Sequence, residues 1–130
     1  MSTELTMLAW AIVLGLIQIA LAATLTSTQR GLGWAAGPRD GTPPPVNTLA
    51  ARMARASANF LETFALFAAA VLAVMIAGKS NETTVLGAQI YFWARVAYVP
   101  AYAVSVPFLR TLVWTASIIG LIMVLTGLFH

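Results

Sequence analysis

The sequence predicts an all-α integral membrane protein, a left-handed up-down four-helix bundle forming one domain over residues 1–130. Hydrophobic residues make up 60% of the chain and charged residues only 8%, and the mean hydropathy is +0.87. Its apolar stretches reach the roughly 20 residues that a helix needs to cross a hydrocarbon core. An ionised side chain near the bilayer centre costs about 2.5–3.5 kcal/mol even on the lenient scale, so the few charges inside those stretches carry information.

The first helix is expected over about 5–28. The opening Met-Ser-Thr-Glu has no basic residue and the apolar run behind it is too long for a signal h-region, so this helix is expected to stay in the mature protein. The connection at about 29–48 follows. Gly31, Gly33, Gly37, Pro38 and Gly41 argue against a regular helix across it, and Pro43-Pro44-Pro45 favours an extended polyproline segment. It reads as an ordered cap on the cytoplasmic mouth of the bundle. The second helix is expected over about 49–78, with Thr48 as its cap, although Ala51 stands where a full capping box needs an acid. The third and fourth, over about 84–106 and 108–129, follow from apolar length as the first does.

Positive charge is uneven. Arg30, Arg39, Arg52 and Arg55 surround the long connection and Arg110 the turn before the fourth helix, whereas Glu4, Lys79, Glu82 and His130 fall on the other side. The positive-inside bias puts both termini outside and the loops at 29–48 and 106–110 in the cytoplasm. The sequence pI of about 10.0 follows from this asymmetry. Nucleic-acid binding explains it poorly, because no soluble basic surface is available.

There is no cysteine, and His130 is the one histidine. Disulfides, thiolate metal sites, a cysteine nucleophile, histidine metal ligation and a Ser-His-Asp triad each lose their central part, so no metal site is expected.

Arg52, Arg55, Asn59 and Glu62 share one face of the second helix by 3,4 spacing. Ala65, Ala69, Ala73 and Ala77 continue on that side, and small residues let helices approach closely, so this face is expected to be interior or intersubunit. Tyr91, Arg95, Tyr98, Tyr102 and Ser105 make a matching stripe on the third helix. Such stripes have plainer readings. Arg55 and Arg95 would neutralise Glu62 in a structural network, Tyr98 and Tyr102 would belong to an interfacial belt, and Pro100 would kink the helix as a packing feature.

Arg55-x3-Asn59-x2-Glu62, then Phe92-Trp-Ala-Arg95-x2-Tyr98-x3-Tyr102, with Pro107-x2-Arg110 after it, resembles the MAPEG family, the membrane-associated proteins in eicosanoid and glutathione metabolism. The similarity runs in order over nearly the whole chain. Gly37-Pro38-Arg39-Asp40 looks like the bacterial members, which implies an inner-membrane location. The resemblance implies a homotrimer of four-helix protomers with glutathione, as co-substrate, bound at each subunit interface near the cytoplasmic side. It implies cofactor-binding roles for Arg55, Asn59, Glu62, Arg95, Tyr98 and Tyr102, and catalytic roles for Arg110, or its neighbour Thr111 after a one-residue shift, and Tyr102. Thr63 stands where the eicosanoid enzymes often have tyrosine, and Val104 where they have an extra arginine, so a different anionic thiol stays open.

Glutathione has two carboxylates and one ammonium, a charge set that Arg55, Arg95 and Glu62 match. The expected activity is a detoxifying glutathione transferase or peroxidase acting on lipophilic electrophiles drawn from membrane lipid. The alternative is a non-catalytic membrane protein that binds a lipid or a partner through the same polar interface. Proton-coupled transport is disfavoured, because the first helix offers only Gln18 where small exporters rely on a carboxylate.

Cysteines introduced at Gly41 and at Ser80 into this thiol-free chain are expected to react with an impermeant maleimide from opposite sides of intact membranes. Labelling of both from one side would refute the four-helix topology.

Overall fold

The computed structural model describes residues 1–130 and is helical with no strand. Its elements are α1 (Thr3–Arg30), α2 (Leu32–Ala36), α3 (Thr48–Ala77), α4 (Glu82–Val104) and α5 (Leu109–Thr126), which ends in a 3₁₀ turn, Gly127–Phe129. α1, α3 and the span Leu109–Phe129 are long and apolar enough to cross a membrane. α4 is not among them, which corrects the expectation that apolar length would define it. Gln89, Arg95 and three tyrosines dilute its hydropathy, and Tyr91, Arg95 and Tyr98 are buried inside the protein.

Local chemistry sets the ends. The Ser2 hydroxyl accepts from the Leu5 amide and starts α1. Asn47, not Thr48, caps α3, its side chain accepting from the Ala50 amide at 2.8 Å. The amide oxygen reaches the N3 position from an extended backbone, as a cap requires. Asn81 and Thr84 form a reciprocal capping box at the start of α4. Gly78, at φ 66°, ends α3 in the left-handed conformation, and Lys79 N–H reaches back to the Val74 carbonyl. α1 runs a turn longer than expected, and α4 begins and ends two residues early.

The connection after α1 is not irregular throughout, because Gly31, at φ 94°, and Gly37 bracket the short α2. Arg39 donates from Nε and Nη2 to the Ala35 carbonyl near the end of that turn. Arg30 donates to the Pro44 carbonyl and Gln29 accepts from the Asn47 amide, which ties the proline segment back onto α1.

Inside, α1 presents Leu8, Ala11 and Gly15 to Phe60, Phe67, Val71 and Val74 of α3 and to Ala88 and Tyr91 of α4. The Phe67 and Tyr91 rings stack at 4.0 Å, and the Tyr91 hydroxyl meets that of Thr63 at 3.0 Å. The row Ala65, Ala69, Ala73 and Ala77 does not fill the interior of the chain: three of its members are exposed and Ala73 is half-buried, on the side of exposed Arg55 and Glu62. The larger apolar residues fill the core better and displace that row to the outer surface of α3.

At the opposite end from the arginines, the carboxylate of fully buried Glu4 accepts from the Ser80 and Thr84 hydroxyls. This joins the starts of α1 and α4. α4 and α5 meet through glycine: a Cβ on Gly87 would stand 2.6 Å from the Gly120 carbonyl oxygen, and one on Gly120 2.6 Å from the Gly87 oxygen. Neither backbone can swing aside.

Gly87→Ala and Gly120→Ala are therefore each expected to destabilise by about 1–3 kcal/mol, read as a lower heat-unfolding midpoint in detergent. Gly33→Ala, whose Cβ meets nothing within 4 Å, is expected to match or slightly exceed the parent.

Candidate functional site

At the arginine-rich end, α3, α4 and α5 enclose a cavity of about 400 Å³. α3 contributes Arg55, Ala58, Asn59 and Glu62, one face of the helix at 3,4 spacing. Tyr98 and Tyr102 come from α4, and Arg110, Thr111 and Trp114 from the first turns of α5. The turn before α5 bends through Ser105 and Phe108, both at positive φ, and brings Arg110 round to face α4.

Tyr102 organises the cations. Its hydroxyl accepts from Arg55 Nε at 3.0 Å, and its ring lies 4.8 Å from the Arg110 guanidinium and 5.7 Å from that of Arg55. The Tyr98 ring meets it edge-on at 5.7 Å. Two arginines thus approach each other across one aromatic ring, an arrangement that attracts each cation to the π-face while both keep donors free. Glu62, the one carboxylate of the cavity, accepts no hydrogen bond from Arg55 or Arg95, so the direct neutralisation that the plainer reading supposes is not made within the chain.

Arg95 is buried with Tyr91 and Tyr98 of its stripe, behind the cavity wall. It is 1% exposed, does not line the cavity, and lies with its guanidinium 4.2 Å from the Tyr98 ring and 5.5 Å from that of Phe60. Nη1 donates to Asn59 Oδ1 at 3.0 Å. Because arginine only donates, this bond fixes the amide, oxygen toward Arg95 and nitrogen free to donate elsewhere. The cavity therefore offers donors from Arg55, Arg110 and Asn59 and an acceptor from Glu62.

Trp114 was not among the candidates read from sequence. It follows Arg110 by four residues, a spacing that would have placed both on one face of α5. Arg52 lines an adjoining recess and holds the end of α4 by donating to the Ala103 carbonyl at 2.9 Å. A separate cleft of about 390 Å³ lies between α1, α2 and α3, mostly apolar, with Arg30, Arg39 and Trp34 on its wall.

Three helices of membrane-spanning length and apolarity, with a charged cavity at one end, are the features of an integral membrane protein. The MAPEG family model matches residues 7–129, and the chain belongs to that family, which includes glutathione transferases and other enzymes. Comparisons with curated proteins and with solved structures give no match.

Proposed function

We propose that this protein is a membrane-bound, glutathione-dependent transferase or peroxidase that acts on lipophilic electrophiles taken from the bilayer. The observation that carries the reading is the cavity's charge set: Arg55 and Arg110, an oriented Asn59 amide and one carboxylate, Glu62. A γ-glutamyl peptide carries two carboxylates and one ammonium, and bonds between ionised partners are the strong ones. Arg55, Asn59 and Glu62 would hold the peptide's polar ends, with Tyr98 and Tyr102 as walls. Arg95 supports them from behind instead of touching the ligand.

A homotrimer of four-helix bundles accounts for the face that a single chain leaves uncovered. Arg55, Glu62, Ala65 and Ala69 are exposed on α3, and charge facing lipid is costly. A second copy packed there would cover the charges and use the small residues for close approach. In the inner membrane, with the arginines cytoplasmic and the termini periplasmic, the cavity opens toward the aqueous cytoplasmic pool of glutathione.

Arg110 would activate the thiol. A thiol with an ordinary pKa of about 8.5 is a few per cent ionised at neutral pH, and a fall to about 6.5, worth roughly 2.7 kcal/mol, makes it mostly thiolate. One hydrogen bond to a charged group contributes about 1.5–3 kcal/mol, so a single guanidinium suffices. Thr111 and Tyr102 are auxiliary donors in reach of the same cavity. The thiolate sulfur then attacks the electrophilic carbon and the leaving group departs with the bond's electron pair.

Calorimetry of the purified protein with glutathione tests the reading, and Arg55→Ala is expected to weaken binding by about 2–5 kcal/mol while the three-fold mass in mild detergent persists. Normal binding in a mutant that falls apart would leave Arg55 with an assembly role and favour the non-catalytic alternative.

Arg110→Ala is expected to bind glutathione yet show a higher thiol pKa by ultraviolet thiolate absorbance and slower conjugation of an aryl halide. An unchanged titration would reject Arg110 as the activating group and shift attention to Tyr102.

A further inference from the structure

Five buried side-chain atoms have no hydrogen-bond partner, and four belong to two residues, Gln18 and Arg95. Gln18 is 4% exposed and Arg95 1%. Both atoms of the Gln18 amide are unpartnered, as are Nε and Nη2 of the guanidinium. Buried groups of this kind in native proteins are satisfied, commonly by ordered water with two to four polar partners.

The two residues lie within about one helical turn of each other in depth. The buried positions of α1 include 4, 8, 11, 15 and 18, and those of α4 include 84, 88, 91, 95 and 98, the same rhythm displaced by 80. The Glu4–Thr84 hydrogen bond, 2.8 Å, pins the two rows at their starts, and both helices run away from that pin. At about 1.5 Å per residue, Gln18 and Arg95 are separated by about 5 Å along the axis. Side chains on both helices lean toward their own N-termini, so this offset is kept, and about 5 Å is the span that one water bridges between two polar groups. In this register Gly15 stands opposite Arg95 and brings no side chain of its own. Phe60 reaches both: a Cβ on Gly15 would stand 2.9 Å from its ring, and the guanidinium lies 5.5 Å from it.

We infer that Gln18 and Arg95 enclose an internal water site, in which water accepts from Arg95 Nε and Nη2 and bridges to the Gln18 amide. Gln18 is then a positioning residue for the cavity, acting through Arg95 on the orientation of Asn59. The water site stands on the buried polar atoms alone, and only its effect on glutathione affinity rests on the function proposed above.

The test is heat unfolding of the full-length protein in detergent without glutathione. Gln18→Leu is expected to lower the midpoint by several degrees, because it strands the guanidinium, and Gln18→Glu to restore or raise it by pairing with Arg95. In an Arg95→Met background, Gln18→Leu is expected to raise the midpoint, since the amide then has nothing left to satisfy. Stabilisation by Gln18→Leu in the parent protein would overturn the site. If Gln18→Leu does not fold, a Gln18→Glu protein that folds like the parent supports the network and one that also fails overturns it. An Arg95 Nε–H resonance with a cross-peak to water is expected in the parent, and its absence would reject water as the bridge. Glutathione affinity is expected to fall about three- to tenfold in Gln18→Leu and to recover in Gln18→Glu. Unchanged affinity alongside the expected unfolding shifts would overturn the positioning role and leave the water site. A parent protein that does not bind glutathione would refute the proposed function, and the unfolding and resonance measurements would still decide the water site.

Discussion

A fully buried guanidinium, Arg95, is the constraint around which the arginine-rich half of this protein is arranged. In a hydrocarbon environment that group must be enclosed by its own protein. Enclosure is supplied by rings on two helices, Phe60 and Tyr98, and by the Asn59 amide. Its consequences spread in both directions. Because Arg95 and its tyrosine neighbours turn inward, α4 is covered along this face by α1, α3 and α5 despite its modest hydropathy. Because Arg95 takes the Asn59 oxygen, the cavity on the other side of α3 receives an amide of defined polarity.

The far half depends on a different device. Glu4 is also fully buried, but it needs no cation: two hydroxyls, from Ser80 and Thr84, donate to one of its oxygens beside the start of α4. A carboxylate near a helix N-terminus is favoured by the uncompensated N–H groups there. Between the two buried charges the contacts are of a third kind, close backbone approach at Gly87 and Gly120 and stacking of Phe67 on Tyr91. Polar contacts at two levels set the register of the helices, while apolar packing between them tolerates no side chain at the glycines.

α1 and α5 were legible from apolar length and α3 despite its polar start, whereas apolar length was the wrong signal for α4, whose 4,3 stripe is a pattern of burial more than of hydropathy. Spacing identifies a helix face, yet depth along the side chain decides what that face touches. Arg55 and Arg95 both belong to inward-reading stripes, and only Arg55 reaches the cavity. The alanine row of α3 illustrates the same limit, since its small side chains yield the core to Phe60 and Phe67 and remain at the surface. α2 had no signal of its own: five residues between glycines form a turn only because Arg39 and the tie to Pro44 hold the segment down. Trp114 was missed because one aromatic residue in an apolar helix is ordinarily lipid-facing, and the bend at Ser105 and Phe108 that turns it toward Tyr102 is not written in periodicity.

The cavity's composition bears on why such a site lies at the end of a bundle and not at its middle. Arg55, Glu62 and Arg110 are exposed in the single chain, whereas Arg95, deeper in α4, is sealed. Charges that must exchange a ligand need water at hand when the ligand leaves, and only the end of a membrane bundle provides it. A charge that must hold geometry is better placed where water is confined, because a low-dielectric surrounding strengthens each bond it makes. The division between exposed, wettable arginines and one buried arginine behind them thus follows the depth gradient of the membrane itself. The 3,4 spacing on α3 is what lets Asn59 touch both kinds, accepting from the buried cation while lining the cavity that the exposed ones share.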